Sequence, residues 1–184
     1  MKSELFLPIR SSKDLPGTLK NTPFEVLLRS QNMEEMFEKF ERAQILIGMC
    51  MDNRKQFRLP ENFAYILRTG GGSLRHSEFK VSYAIGVGGV RHIALIAHNH
   101  CGMVHVADRR EAFVAGLVEN AGWDRAKAEE HFIQLAPLFE IGNEVDFVLS
   151  EAKRIRERYP KVMVVPFYYK VEDNQLYVID EKKA

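Results

Sequence analysis

Two short stretches of this chain carry side chains suited to binding a metal, and each follows an apolar run. Cys50 leads into Asp52 and Arg54, and His98 leads into His100 and Cys101. Two thiols and one imidazole suit zinc in type, and three protein ligands leave a fourth position open, as in a catalytic site. Water at such a position ionises near pH ~7. If the segment after Cys50 is extended, Asp52 and Arg54, two and four residues on, point to the same side as the thiol. Asp52 then either accepts a hydrogen bond from that water or takes the fourth position itself. Pairing with Arg54 pulls it toward the first role.

Only a particular arrangement of elements brings these residues together. Residues 93–97 (Ile, Ala, Leu, Ile, Ala) read as a strand buried on both faces, and 44–50 reads as another. As parallel neighbours, the two would deliver Cys50, His98 and Cys101 to one carboxyl edge, where open α/β sheets bind their ligands. The rest of the chain supplies the crossovers. Residues 64–68 form a strand that runs into Thr69, Gly70, Gly71 and Gly72, 73–85 a helix with Phe79, Tyr83 and Ala84 toward the core, and 90–97 the third strand. Helices follow over 109–121, 124–135 and 143–158, with Asp124 and Asn143 as N-caps and Gly122 and Gly142 as stops. A strand over 162–169, placed at an edge or bulge by Pro166, turns at 172–175 into a last strand over 176–180.

The N-terminal 23 residues carry Pro8, Pro16 and Pro23 with little periodicity and read as an extended arm. Asn32 and Glu35 resemble a capping box for a helix ending near Ala43, with Met36, Phe37 and Phe40 on its apolar face. Arm and helix fit packing on a second subunit and on their own domain equally well.

Taken together, Cys50-x-Asp52-x-Arg54, then Arg68 with the 69–72 glycine loop, then His98-x-x-Cys101-Gly102-Met103 resemble the β-class carbonic anhydrases. The order is that of the family's C-x-D-x-R, R-N-A-G-G and H-x-x-C-G, at comparable separations. The 169–176 stretch resembles its closing hairpin. The resemblance implies zinc held by Cys50, His98 and Cys101, an Asp52–Arg54 dyad beside it, reversible hydration of carbon dioxide to bicarbonate, and a homodimer or larger homo-oligomer. Some positions depart from the pattern: the loop reads T-G-G-G, the 54–68 interval is short, and no Gln-x-Pro precedes Cys50. His100 stands where a small or acidic residue is usual. All of these touch the substrate pocket and leave the metal ligands alone. They motivate a second reading, the same zinc acting on carbonyl sulfide or carbon disulfide. A third is a non-catalytic member in which Asp52 closes the zinc and the fold serves binding or assembly; a Cys50–Cys101 redox pair ranks behind these.

The expected class is therefore α/β: a central, mainly parallel sheet flanked by helices, with an N-terminal arm and helix and a C-terminal antiparallel hairpin. One domain over 1–184 would comprise the arm and helix (1–43), the zinc-site core (44–106), a helical region (107–160) and the hairpin (161–184). Its net charge of +1 and scattered basic residues give no nucleic-acid footprint, so Arg109, Arg110 and the 153–156 run read as solvated helix faces. The glycine loop lacks the G-x-x-x-x-G-K-[ST] spacing of a phosphate cradle. No apolar run approaches the ~20 residues of a membrane span, and the first eight residues have too short an apolar core for a signal peptide. The cytoplasm is therefore the default expectation, and the two cysteines are too few for a disulfide scaffold. His100 reads as a loop histidine before it reads as a proton shuttle.

Overall fold

The computed structural model describes residues 5–184; the first four residues of the expected arm lie outside them. Six strands form one sheet: β1 (Phe6–Pro8), β2 (Ile45–Cys50), β3 (Ala64–Thr69), β4 (His92–His98), β5 (Met163–Lys170) and β6 (Gln175–Ile179). Their spatial order is β1-β6-β5-β4-β2-β3. The strands β3, β2, β4 and β5 are mutually parallel, and β6 runs antiparallel to both β5 and β1. The helices are α1 (Pro23–Met33), α2 (Glu78–Gly86), α3 (Arg110–Ala121), α4 (Arg125–Phe139) and α5 (Glu144–Arg158).

Alternation along the central strands feeds two cores. Ile45, Ile47 and Met49 of β2 and Ala94 and Ile96 of β4 pack with Phe24, Leu27 and Leu28 of α1 on one face. Leu46 of β2 and Ile93, Leu95 and Ala97 of β4 pack on the other with Val81 and Ala84 of α2 and Val148, Ala152 and Ile155 of α5. Both faces are covered, so β2 is buried at every residue and reads as an unbroken apolar run. The pair α3–α4 forms a hairpin joined through Phe113 and Phe132, whose rings lie 5.1 Å apart.

The first helix corrects one expectation. It occupies residues 23–33, not the stretch from Asn32 to Ala43. Thr22 accepts the Phe24 N–H at 3.2 Å, Pro23 fills the first helical position, and Glu34 ends the helix in the left-handed region at φ 55°. Arg29 grips Glu35 through two bonds of 2.6 and 2.7 Å, fixing the exit. Asn32 caps nothing; its side chain donates to the carbonyls of Ile9 and Leu176 and accepts the Leu176 N–H. Met36, expected on an apolar face, is 91% exposed. The arm and α1 pack on their own sheet, with Ile9, Leu15 and Leu19 buried beside α1. The arm also adds strand β1, three residues too short to register as a periodicity.

Two smaller corrections concern β5 and α2. The strand β5 is interior, between β6 and β4, despite Pro166. Pairing with β6 begins only at Phe167, and Val164, two residues before the proline, sends its carbonyl to Arg156 instead of a strand. The missing N–H of Pro166 therefore faces the side the β6 ladder does not reach, and costs no bond. In α2 the core face is Val81 and Ala84, while Phe79 is 81% and Tyr83 51% exposed. The basic runs are paired as well as solvated: Arg154 bonds Glu151 and Glu78, and Arg156 bonds Glu181 and the Val164 carbonyl.

Candidate metal centre

Adjacent parallel strands end together here. Cys50 closes β2 and His98 closes β4, and the two strands are in register through Met49 and Ile96. Beyond His98 the chain must reverse to return a second thiol. His100 makes that possible by adopting φ 55°, after which Cys101 folds back toward Cys50. The donor atoms of Cys50, His98 and Cys101 all lie within 4.8 Å of one another, and all three residues are buried.

The donor set fits a metal on two independent observations. The two sulfurs are 3.9 Å apart and not joined as a disulfide. Two sulfurs about 2.3 Å from a tetrahedral zinc would stand roughly 3.8 Å apart. The His98 ring supplies the second observation. Its Nδ1 donates to the Asn99 carbonyl at 2.9 Å, which fixes the tautomer and turns the Nε2 lone pair inward. That Nε2 is buried and makes no hydrogen bond, an arrangement that costs free energy and that a bound metal would relieve.

Electrostatics within the group points the same way. The Cys101 thiol donates to the Cys50 sulfur, which lowers the pKa of Cys50 and raises that of Cys101. One thiol of the pair thus ionises readily and the other resists, because two buried anions this close repel. A bound dication lets both ionise. Asp52 is held by Arg54 through Nε at 3.0 Å and Nη2 at 2.6 Å, so both carboxylate oxygens are engaged. The guanidinium holds the Asp52 carboxyl well below the usual carboxylate range. Arg54 Nη2 also donates to the His100 carbonyl at 2.9 Å, tying together the loops that follow Cys50 and His98.

Further contacts make the centre rigid. The 69–72 glycine loop lies against the back of Cys50, where a side chain at Gly72 would come within 3.4 Å of the Cys50 nitrogen, and Gly71 and Gly72 take φ of 62° and 81°. The loop thus serves close backbone approach. Across the site, Asn99 donates to both Glu172 oxygens at 2.6 and 2.7 Å and accepts the Val171 N–H at 2.9 Å. The β5–β6 turn therefore braces the His98 end of β4. His100 joins it through Nε2 and Glu172 at 3.0 Å.

Two features had escaped the sequence reading. Lys55 is 2% exposed and its ammonium has no partner; burial lowers its pKa to about 8. A lysine just past the C-x-D-x-R stretch gives no signal in one sequence, because lysines are ordinarily solvated. One side chain away from the sulfurs, across Met103, there is also an apolar hollow of about 270 Å³, lined by Met51, Met103, Val106, Phe113, Phe132 and Phe139. Met103 packs directly on the buried thiol cluster. Phe113, Phe132 and Phe139 come from the α3–α4 hairpin, so helices remote in sequence roof the hollow. Phe57 stacks on buried Tyr169, while Tyr65 is 39% exposed.

No protein-family model matches this sequence, and no curated protein matches it. Solved structures do share its architecture. A carbonic anhydrase from Glaciozyma antarctica is 22% identical, with a TM-score of 0.58 over 74% of this chain and 83% of that one. The β-carbonic anhydrase isoform I of Trichomonas vaginalis is 16% identical, with a TM-score of 0.62 over 82% and 91%. The apo form of a carbon disulfide hydrolase is 15% identical, with a TM-score of 0.53 over 86% and 87%. With its sheet, its closing hairpin and a cysteine–histidine–cysteine group positioned to bind a metal at the sheet's carboxyl edge, the chain has the β-carbonic anhydrase fold.

Proposed function

We propose that this chain is a zinc enzyme that hydrates carbon dioxide reversibly, one water adding to the carbon to give bicarbonate and a proton. The observation that carries this reading is the buried Cys50–His98–Cys101 group with Asp52 fully engaged by Arg54 beside it. Cys50, His98 and Cys101 would hold the ion, which when bound supplies a Lewis acid able to ionise water near pH ~7.

The remaining work falls to this chain's residues. Asp52, kept off the metal by Arg54, offers its remaining lone pairs to the O–H of the attacking water and orients it. The Met51 and Met103 hollow gives an uncharged, apolar reactant a place one side chain from the thiols, with Met103 between. The proton leaves to buffer. Because both Asp52 oxygens are engaged by Arg54, the non-catalytic reading in which Asp52 closes the metal is less favoured. Two thiols not joined as a disulfide fit a reducing, cytoplasmic setting. Exposed Tyr65 and Ile66 on the outermost strand β3 and Phe79 on α2 fit burial against a second copy, so we read the working form as a homodimer or larger homo-oligomer. Among the described residues no helix is long and apolar enough to cross a membrane.

One observation favours a second substrate. The hollow is almost wholly apolar, which suits carbon disulfide or carbonyl sulfide as well as carbon dioxide, and a carbon disulfide hydrolase shares the fold. Stopped-flow assays at measured zinc content separate the two. Carbon dioxide hydration rising from about pH 7 to about pH 9, where such water ionises, and undiminished by carbon disulfide supports the anhydrase. A flat blank with carbon disulfide consumed would assign the hydrolase instead.

A further inference from the structure

Among the described residues, two buried side-chain atoms lack a hydrogen-bond partner: His98 Nε2 and Lys55 Nζ. Both belong to one site. A metal accounts for the first and not for the second, since a cation gains nothing from an ammonium. Lys55 is delivered inward by its backbone, whose carbonyl accepts Arg68 Nη2 at 3.1 Å while the next carbonyl, of Gln56, accepts Gln31. The opposite charges acting on its ammonium are those of Cys50, Asp52 and Cys101. Asp52 is already taken up by Arg54, and the thiols by each other or by a metal.

Burying an unpaired ammonium is costly, and methionine or leucine would fill the same space without that cost. A lysine is explained at such a place if it meets an anion that comes and goes. Arg54 is largely committed, its Nε and Nη2 spent on Asp52 and the His100 carbonyl, and it is exposed where Lys55 is buried. Lys55 is the buried cation with all three donors free. We propose that the Lys55 ammonium donates to bicarbonate in the metal site, giving the anion, and not neutral carbon dioxide, an added hold. This deepens the zinc reading above and rests on it.

The test titrates bicarbonate into cobalt-substituted protein, following the cobalt visible spectrum, for the natural chain, Lys55→Met and Lys55→Gln, with metal content measured for each. The bicarbonate Kd is expected to rise roughly 10- to 100-fold in Lys55→Met at unchanged metal content, as for loss of a charged hydrogen bond, and less in Lys55→Gln. Metal-free Lys55→Met is expected to melt no lower than the natural chain, since it loses an unpaired buried charge; should it fail to fold, Lys55→Gln makes the same comparison. Equal Kd values in all folded proteins would overturn the proposal. If the natural chain took up no metal, the zinc reading would fail instead. Calorimetric titration of bicarbonate into the metal-free proteins would then decide: binding lost on substituting Lys55 supports its role, and binding unchanged or absent overturns it.

Discussion

His98→Ala is expected to empty the metal site and to lower carbon dioxide hydration by at least about 10³-fold. That figure corresponds to roughly 4 kcal/mol, the scale of Lewis-acid stabilisation, at about 1.36 kcal/mol per decade. The imidazole is 1% exposed and its Nε2 faces the two thiols without a partner. Removing it leaves two sulfurs 3.9 Å apart that bind a dication poorly and resist double ionisation without one. Stability separates this effect from general damage. Zinc should raise the melting temperature of the natural chain, because it binds the folded state and satisfies the orphaned nitrogen, and should leave that of His98→Ala unchanged. Metal analysis, thermal melts with and without chelator, and stopped-flow hydration together check the prediction. Full zinc and full turnover in the variant would remove His98 from the ligand set.

The second large effect is expected at Asp52. Asp52→Asn should keep its zinc yet lose roughly 10- to 100-fold in kcat/KM, the usual cost of altering a group that orients what a metal holds. Arg54→Leu should lose at least as much by another route, since it frees the Asp52 carboxylate to reach the metal and close the open position. The pH dependence carries a definite sign. The folded protein holds the Asp52 carboxyl below its ordinary value through Arg54. Its contribution to stability is therefore complete above the unfolded carboxylate pKa of about 3.9 and is lost as pH falls through the lower folded value. Acid titrations of metal-free protein should show that loss in the natural chain and not in Asp52→Asn. Identical acid profiles would mean that the Asp52–Arg54 pair contributes nothing to folding.

The order of the central elements was legible because buried parallel strands leave a dense local signal. The runs ending at Cys50 and His98 are apolar on both faces, and each stops at a change of chemistry. Their register is what brings Cys50, His98 and Cys101 within 4.8 Å. The C-terminal half was nearly as clear, since Asp124 and Asn143 accept backbone N–H groups where caps are needed. Illegible features depend on contacts distant in sequence. Asn32 looks like a cap until β6 comes past to take its amide. Pro166 looks like an edge residue because sequence does not show where the neighbouring ladder begins. Phe79 and Tyr83 sit at helical spacing and still face outward. In the site, the hollow roofed by α3 and α4 and the inward turn of Lys55 were hidden for the same reason.

Zinc-edge X-ray absorption on the purified natural chain, with metal quantified, tests the account at its centre. The expected result is one zinc per chain with two sulfurs at about 2.3 Å and two lighter atoms at about 2.0–2.1 Å, one of them imidazole nitrogen. Protein free of zinc after reconstitution, with both thiols titrating as ordinary cysteines or joined as a disulfide, would contradict it.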